Sequence, residues 1–352
     1  MIVHLTGNYP PRTCGIADYT AQLVTSLGEG TVWTRNACAI RPEAVGIAED
    51  FGPAGFAALV HKLETERPAL VHLQYERAIW DNNPDICVKL PSVLKRLKIR
   101  LVTTLHALDG PTGWGKAHRL SLMPLLYGSE TICVCSQKQL SAISNLPGLG
   151  ARVHLTPVGN VIPVTGTHCE RLPGEPLRLL YFGFLWHGRN VETLIRALAR
   201  IPNAALTLAG AVKEPEYQAA LEKLACDLGV RERVRFTGEL APDQLSQLLA
   251  DADLCLLPFG TGVSTGRTTF SAALAHGTPI VTMHTPENLD PAFVLGESFL
   301  SASVGDEEGF IREVERVAGN DALRKRLAAG ATKLSARFDW PTLAAQVQEL
   351  YR

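Results

Sequence analysis

From one end to the other, the chain alternates between short runs rich in Val, Ile, Leu and Thr and longer segments with helical apolar spacing. No other feature restricts the fold as strongly. A strand that leads through a helix into another strand of the same sheet runs parallel to it. The alternation therefore predicts parallel sheets with helices on both faces. In the first half the predicted strands are IVHLT from residue 2, TVWTR from 31, LVHLQ from 70, RLVTTLH from 100, TICVCS from 131 and RVHLTPV from 152. Helical spacing fills 16–28, 54–67, 88–98, 115–127 and 137–145. The pattern breaks at NVIPVTGTHCERLPGEP, a stretch of Pro, Gly and Thr that reads as a linker. It then restarts with LRLLYFGF, AALTLAG, RVRFTG, DLCLLPF and PIVTM, with helices expected at 190–200, 214–228, 242–251 and 268–276.

Two doubly wound, Rossmann-like α/β units follow, and 352 residues suit two domains. The expected divisions are 1–168, 169–336 and a final helix over 337–352. An apolar fraction of 46% with 20% charged residues fits a chain that folds. A net charge of -1 gives no general attraction to nucleic acid. No apolar run reaches the length of a membrane span, and MIVHLTGN lacks the basic region and long apolar core of a secretory leader. The eight cysteines are scattered without metal-ligand spacing, as expected of reduced thiols in a cytoplasmic protein.

In open α/β sheets ligands gather beyond the carboxyl ends of the strands, so the loops after strands are the place to look for chemistry. The first, PPRTCGIADYT, sets a stiff entry, Arg12 and Gly15 just ahead of a helix. A glycine at a helix amino end lets an anion or a sugar approach the backbone. In VHLQYERAIW, Gln74 and Glu76 follow a strand and suit a hydroxyl-rich ligand. In TTLHALDG, His106 ends a strand, where a histidine can donate a hydrogen bond or handle a proton near neutral pH. In YFGFLWHGRNVET, Gly183, Gly188 and Arg189 precede a helix and suit a diphosphate. In FGTGVSTGRTTFSAALAHGTPIV, the N–H groups from 260 to 268 can wrap phosphate or sugar oxygens. There Gly260 and Gly262 bring the backbone close, Ser264, Thr265, Thr268 and Thr269 offer hydroxyls, and Arg267 is a second phosphate candidate.

Two other features read as structural. Asp251 and Asp253, spaced like a metal-binding Asp-x-Asp, sit at a helix end where capping and solvation explain them. Lys89, Lys95, Arg96 and Lys98 lie on an amphipathic helix over 89–100, read as a solvated face that also suits peripheral contact with anionic lipid at an inner membrane face.

Taken in order, PPRTCGIADYT, VHLQYE, TTLHAL, TPVGNVIP, LLYFGFLWHGRNVETLIRA, RVRFTGEL, ADADLCLLPF and AALAHGTPIV resemble glycosyltransferase family 4 over nearly the whole chain, most strongly from 177 to 283. The resemblance implies the GT-B fold, two Rossmann-like domains facing a central cleft, and transfer with retention at the anomeric carbon. FDWPTLAAQVQELY is similar to the helix that crosses back to the first domain in that fold. By position, the resemblance puts Gly15 at donor phosphate and acceptor, and His106 near the donor sugar. It puts Arg189 on the diphosphate, and Gly262, Val263 and Ser264 in the loop that cups sugar and phosphate. Two family glutamates are absent, with Ser264 and Ala272 in their places, and Phe184 stands where the family has an arginine.

The expectation is a retaining glycosyltransferase that takes a nucleotide-diphosphate sugar, UDP-linked before GDP-linked. Its acceptor would be a glycan, a lipid-linked sugar or a small natural product. His106, Arg189 and Arg267 form the catalytic group of this reading, and no cofactor or metal is called for. Three other readings stay open: a pseudo-glycosyltransferase that couples an activated cyclitol, a nucleotide-sugar epimerase, and a silent partner that binds a nucleotide sugar.

Overall fold

The computed structural model of the chain describes residues 1–12, 14–106 and 116–352. It divides into two units, one formed by Met1–Val161 with Trp340–Arg352, the other by Ile162–Asp339.

In the first unit the order is β1 (Ile2–Thr6), α1 (Gly15–Leu27), β2 (Thr31–Arg35), β3 (Ala44–Ala48), α2 (Pro53–Glu66), β4 (Leu70–Tyr75), α3 (Asp85–Val88), α4 (Leu90–Leu97), β5 (Arg100–Leu105), α5 (Lys116–Gly128), β6 (Thr131–Val134), α6 (Gln137–Ser144) and β7 (Val153–Leu155). The seven strands are parallel, in the order β3-β2-β1-β4-β5-β6-β7. Strand order reverses between β1 and β4. Edge strand β3 falls outside the sequence expectation. Its AVGIA is short, carries a mid-strand glycine and is only half-buried throughout. The helix expected over 115–127 is found from Lys116, with residue 115 outside the described residues.

The two faces of this sheet differ in chemistry. One carries Val3, Leu5, Trp33, Val71, Leu73, Leu101 and Leu105 into the main apolar core. The other is polar. The register aligns Thr6 with Gln74 and Gln74 with Thr104, and one row below aligns His4 with His72. All five side chains are fully buried. A sheet covered on both faces usually carries apolar residues on each, so this row is an exception that needs a use.

The second unit runs β8 (Leu177–Phe182), α7 (Val191–Ala199), β9 (Ala204–Ala209), α8 (Pro215–Asp227), β10 (Val234–Gly238), α9 (Pro242–Asp251), β11 (Leu254–Leu257), α10 (Thr268–Ala275), β12 (Ile280–His284), β13 (Leu300–Ser303), α11 (Glu307–Ala318) and α12 (Asp321–Ser335). Its six parallel strands take the order β10-β9-β8-β11-β12-β13, which reverses between β8 and β11. Strand β13, LSAS, has no β-branched residue to mark it.

The last helix, α13 (Trp340–Glu349), belongs to the first unit, where Val347 and Tyr351 pack with Tyr19, Leu23, Val102, Cys133 and Cys135. The divisions at 168/169 and 336/337 are therefore corrected to 161/162 and 339/340. The linker belongs to the second unit because α9 satisfies its backbone. The N–H groups of Thr165 and Gly166 donate to Ser246 Oγ at 3.0 and 2.8 Å, and that of Cys169 donates to Asp251 Oδ1 at 3.0 Å. Phe338 is likewise buried in the second unit's core.

Candidate functional site

In the first unit, the loops after β1 and β4 flank the point where strand order reverses, the usual ligand position in such sheets. Buried Arg35, at the end of β2, ties them together. Its Nε donates to Gly7 O at 2.6 Å, and its terminal nitrogens donate to Ile79 O at 2.7 Å and to both oxygens of Asp81 at 2.9 and 3.0 Å. Gly7 is glycine by necessity, since a Cβ there would lie 1.9 Å from Ile79 O. Gly15 is the opposite case. A Cβ on it would meet nothing within 4 Å, so neither turn nor packing asks for glycine. Arg12 is exposed on the same loop, and Cys14 caps α1 with no side-chain hydrogen bond. Asp18, in the first turn of α1, already places a carboxyl there, and burial raises its pKa.

The residues after β4 and β5 depart from expectation. Glu76 Oε2 accepts from the N–H groups of Ala78 and Ile79 at 2.9 and 3.3 Å, capping the turn Arg77–Trp80. Gln74 is fully buried and faces inward, because its strand position puts it on the polar side of the sheet. Gln74 Oε1 pairs with His106 Nε2 at 2.9 Å, while its own Nε2 is buried without a partner. His106 is half-buried, and burial lowers its pKa from 6.5 to about 3. The ring is therefore neutral at pH 7. With Nε2–H donated to Gln74, Nδ1 keeps its lone pair for a ligand hydroxyl. Of the two roles the sequence allows, hydrogen bonding and proton handling, the Gln74-bonded and buried ring suits the first. Residues 107–110 of TTLHALDG lie outside the described residues.

In the second unit, the loops after β8 and β11 flank the reversal. Asn190 joins them. In a left-handed conformation at φ 54°, it sends Nδ2 to Pro258 O at 3.0 Å. Gly183 and Gly188 have φ of 136° and 88°, and a Cβ on Gly210 would lie 2.1 Å from Gly183 O. Gly183 and Gly210 let the ends of β8 and β9 approach one another. Arg189 lies 5.5 Å from the Trp186 ring, and its Nε is buried with no hydrogen-bond partner. Exposed Phe184 carries Lys213 Nζ 4.3 Å above its ring. A cation thus reaches this loop from the connection after β9, which sequence spacing along one loop does not reveal.

The β11–α10 loop is more closed than its sequence suggests. Gly262 N–H donates to Phe259 O at 3.0 Å, Val263 N–H to Met283 O at 2.7 Å and Arg267 N–H to Ser264 O at 3.2 Å. Those amides are therefore unavailable, which corrects the picture of a continuous N–H cradle from 260 to 268. Fully buried Val263 anchors the loop in the core instead of facing a ligand. Gly262 has φ 83°, and a Cβ there would lie 2.8 Å from Thr285 N. Asn288 Nδ2 donates to Thr261 O at 2.8 Å, so the turn after β12 braces the same loop. The open groups are the N–H groups at the start of α10, which has no side-chain cap and no acid in its first turn. Gly260, Thr268 and Thr269 remain at least partly exposed, while Ser264 and Thr265 are buried. Arg267 lies 5.0 Å from the Phe259 ring and bonds Thr261 Oγ1. Ala272 is fully buried in apolar core, a position without room for a solvated carboxylate.

Asp253 binds Arg178 and Arg171 at 3.2 and 3.5 Å, and Asp251 accepts the Cys169 N–H, so ion pairing replaces the expected solvation. Among the described residues no cluster of three or more His, Cys, Asp or Glu is placed to hold a metal, and no helix is long and apolar enough to cross a membrane. On the basic helix, Lys89 pairs with Asp85 at 2.9 Å and Arg96 with Glu64 at 2.6 Å, while Lys95 and Lys98 are exposed.

Residues 176–320 match the family model described as Glycosyl transferases group 1. The lipopolysaccharide core biosynthesis glycosyltransferase LpsE of Rhizobium meliloti is 30% identical over 60% of this chain and 62% of its own length. Glycogen synthase of Mycobacterium tuberculosis is 30% identical over 72% of this chain and 63% of its own. The chain thus spans less than two thirds of the length of these two relatives. A GDP-mannose-dependent phosphatidylinositol monomannoside mannosyltransferase of Mycobacterium tuberculosis is 24% identical over 100% of this chain and 98% of its own. Among solved structures, HepE from Anabaena in complex with UDP superposes with a TM-score of 0.81 at 18% identity, covering 99% of both chains. Sucrose-phosphate synthase from Thermosynechococcus elongatus gives 0.78 at 18% identity, covering 100% of this chain and 98% of that one. With its two parallel-sheet units, the chain has the GT-B fold.

Proposed function

We propose that the protein is a retaining glycosyltransferase that moves a hexosyl group from a nucleoside-diphosphate sugar, UDP-linked before GDP-linked, to a hydroxyl acceptor. One observation carries the reading. At the strand-order reversal of the second unit, two loops pinned by Asn190 carry Arg189 and Arg267, Lys213 reaches the first of them from the connection after β9, and the α10 amino end has no cap. That is a seat for a doubly charged anion. The relatives' names point the same way, and HepE was solved with UDP.

In this reading the bond between the anomeric carbon and the diphosphate oxygen breaks, and a bond to the acceptor oxygen forms. The acceptor proton leaves with the diphosphate or to solvent. The protein's contribution is charge stabilisation and placement. Arg189, Arg267 and the α10 N–H groups take up the developing diphosphate charge. Lys213 supplies the cation that Phe184 lacks. His106 accepts a sugar hydroxyl at Nδ1. The second unit holds most of the donor, Gly15 of the first meets donor phosphate and acceptor, and Arg12 faces the acceptor. Contact with an anionic lipid surface would rest on Lys95 and Lys98.

The test is a thermal-shift screen against UDP, GDP, ADP and TDP with their sugar conjugates. A nucleotide at 100 times its Kd stabilises the folded state by about 2.7 kcal/mol. Arg189→Ala should abolish most of the shift while leaving the unliganded melting temperature in place. No shift with any nucleotide, or an undiminished one in the variant, refutes the seat.

A further inference from the structure

Helix α13 docks on the first unit at its two aromatic ends, and both lead to the strand that carries His106. At its start, Trp340 Nε1 donates to Asn160 O at 2.5 Å. The indole sits where a side chain on residue 159 would be, since a Cβ on Gly159 would lie 2.7 Å from it. Fully buried Tyr19 of α1 meets the indole at 5.3 Å between ring centres. The same Tyr19 ring meets His106 edge-on, at 4.8 Å and 77°. At the far end, Tyr351 pairs with His72 Nδ1 at 2.6 Å, and His72 Nε2 with Thr104 Oγ1 at 2.7 Å. Thr104 lies two residues before His106 on β5.

The chain's connectivity gives this packing its meaning. Phe338 is buried in the core of the second unit, and Arg337 is fixed there by Asp290 at 2.8 Å. Trp340 is the first residue of the first unit's share. Two residues span at most about 7 Å, so the passage through Asp339 has almost no slack. The other passage leaves the first unit at Val161, next to the Asn160 whose carbonyl receives the indole N–H. Both passages therefore converge on one tryptophan.

We propose that Trp340 is a positioning residue: its indole seats Tyr19, and the Tyr19 ring sets the plane of His106, so the start of α13 governs the imidazole. The ring is restrained by Gln74 at Nε2, by the β4 backbone through the His106 N–H to Tyr75 O at 3.0 Å, and by the T-shaped contact with Tyr19. Only the last can be altered from a distance. Tyr19 keeps a side-chain hydrogen bond to Thr104, but removing the indole leaves one side of its ring without packing, and the ring can tilt toward that space. The catalytic sense of this relay rests on the function proposed above. The relay itself does not, since it is a statement about one ring in the protein without substrate.

The experiment uses the full chain labelled with 15N-histidine, with His106→Asn to assign the resonance. Trp340→Ala should move the His106 imidazole signals and, with the donor identified by the screen, lower kcat about 10-fold or more while KM for donor stays within 2-fold. Trp340→Phe should restore most of both. Tyr351→Phe weakens the other end of the helix and should lower the melting temperature with little movement of the His106 signals. If Trp340→Ala does not fold, Tyr19→Leu takes its place and must give the same pattern. An unmoved His106 resonance in a folded variant overturns the relay, as does equal movement in Tyr351→Phe. An active His106→Asn variant, or no turnover with any donor, sinks the proposed function and leaves the resonance test to decide the relay alone.

Discussion

Arg35 and Asp81 offer the sharpest test of how the first unit holds its loops. Arg35 is 5% exposed, and two of its hydrogen bonds end on Asp81. The N–H of fully buried Phe51 also donates to Asp81 Oδ2, at 2.8 Å. The informative variant is Asp81→Asn. Residue 81 has φ 55°, which asparagine tolerates and alanine does not, so backbone strain stays out of the measurement. Asparagine keeps one acceptor oxygen and turns an NH2 toward donors. The charge-assisted bonds from Arg35 are lost, and one buried donor is left without its acceptor. Breaking a fully buried pair costs about 3–5 kcal/mol. The Asp81 side chain is 39% exposed, so water reaches it and the figure must be discounted. About 2 kcal/mol remains. For a unit of this size that lowers the melting temperature by roughly 4–8 °C. The assay is calorimetry at pH 7, repeated on Arg35→Met and on the double variant. The two single changes should be strongly non-additive, because each destroys the same bonds. A fall under about 2 °C in Asp81→Asn, or simple additivity, refutes the clamp. The Arg35 and backbone hydrogen bonds lower the Asp81 pKa against the opposing effect of its desolvation. The clamp is thus whole above the ordinary carboxylate range and fails only as pH falls through the lowered value.

Gly15→Ala should leave stability unchanged or slightly raised, because its Cβ meets open space, yet weaken turnover if a ligand lies against it; unchanged kinetics would remove Gly15 from the site. Gly262→Ala should cost more than about 1 kcal/mol by calorimetry, since φ 83° is strained for alanine and its Cβ crowds Thr285 N, and an unaltered melting curve would mean the loop relaxes freely. Burial lowers the pKa of His4 to about 4 and of His106 to about 3, and holds His72 well below 6.5. The unfolded chain binds those three protons at a higher pH than the folded one, so the stability they carry is whole above about pH 6.5. It falls as pH drops toward 4, by up to about 4 kcal/mol per unit. Calorimetry from pH 7 to 5 that shows no such loss would contradict the neutral histidines.

Much of the fold was legible because alternation reports burial directly. Every predicted strand is present, whereas AVGIA was hidden by its mid-strand glycine and half-burial, and LSAS has no β-branched residue. The glycine and arginine loops were legible because strand order places them at the two reversals. What the sequence hid was the partner of each group. Glu76 looked free and caps a turn, Gln74 looked outward and holds His106, and Val263 looked like ligand surface and is core. Lys213, Asn288 and Tyr19 reach the candidate site from neighbouring loops and helices, and no spacing within one motif records such a meeting.

The polar face of the first sheet acquires a further sense when the order of synthesis is considered. Its seventh strand ends at Leu155, but the helix that completes its cover begins at Trp340. A ribosome adding 5–20 residues each second needs on the order of 10–40 s to make the intervening segment. A face of valines and leucines left half-covered for that time would offer a sticky template to neighbouring nascent chains. Here His4, His72, Thr6, Gln74 and Thr104 interrupt the apolar Leu70, Val102 and Cys133, so part of the face can stay wetted while it waits, and Tyr351 then closes it with a hydroxyl.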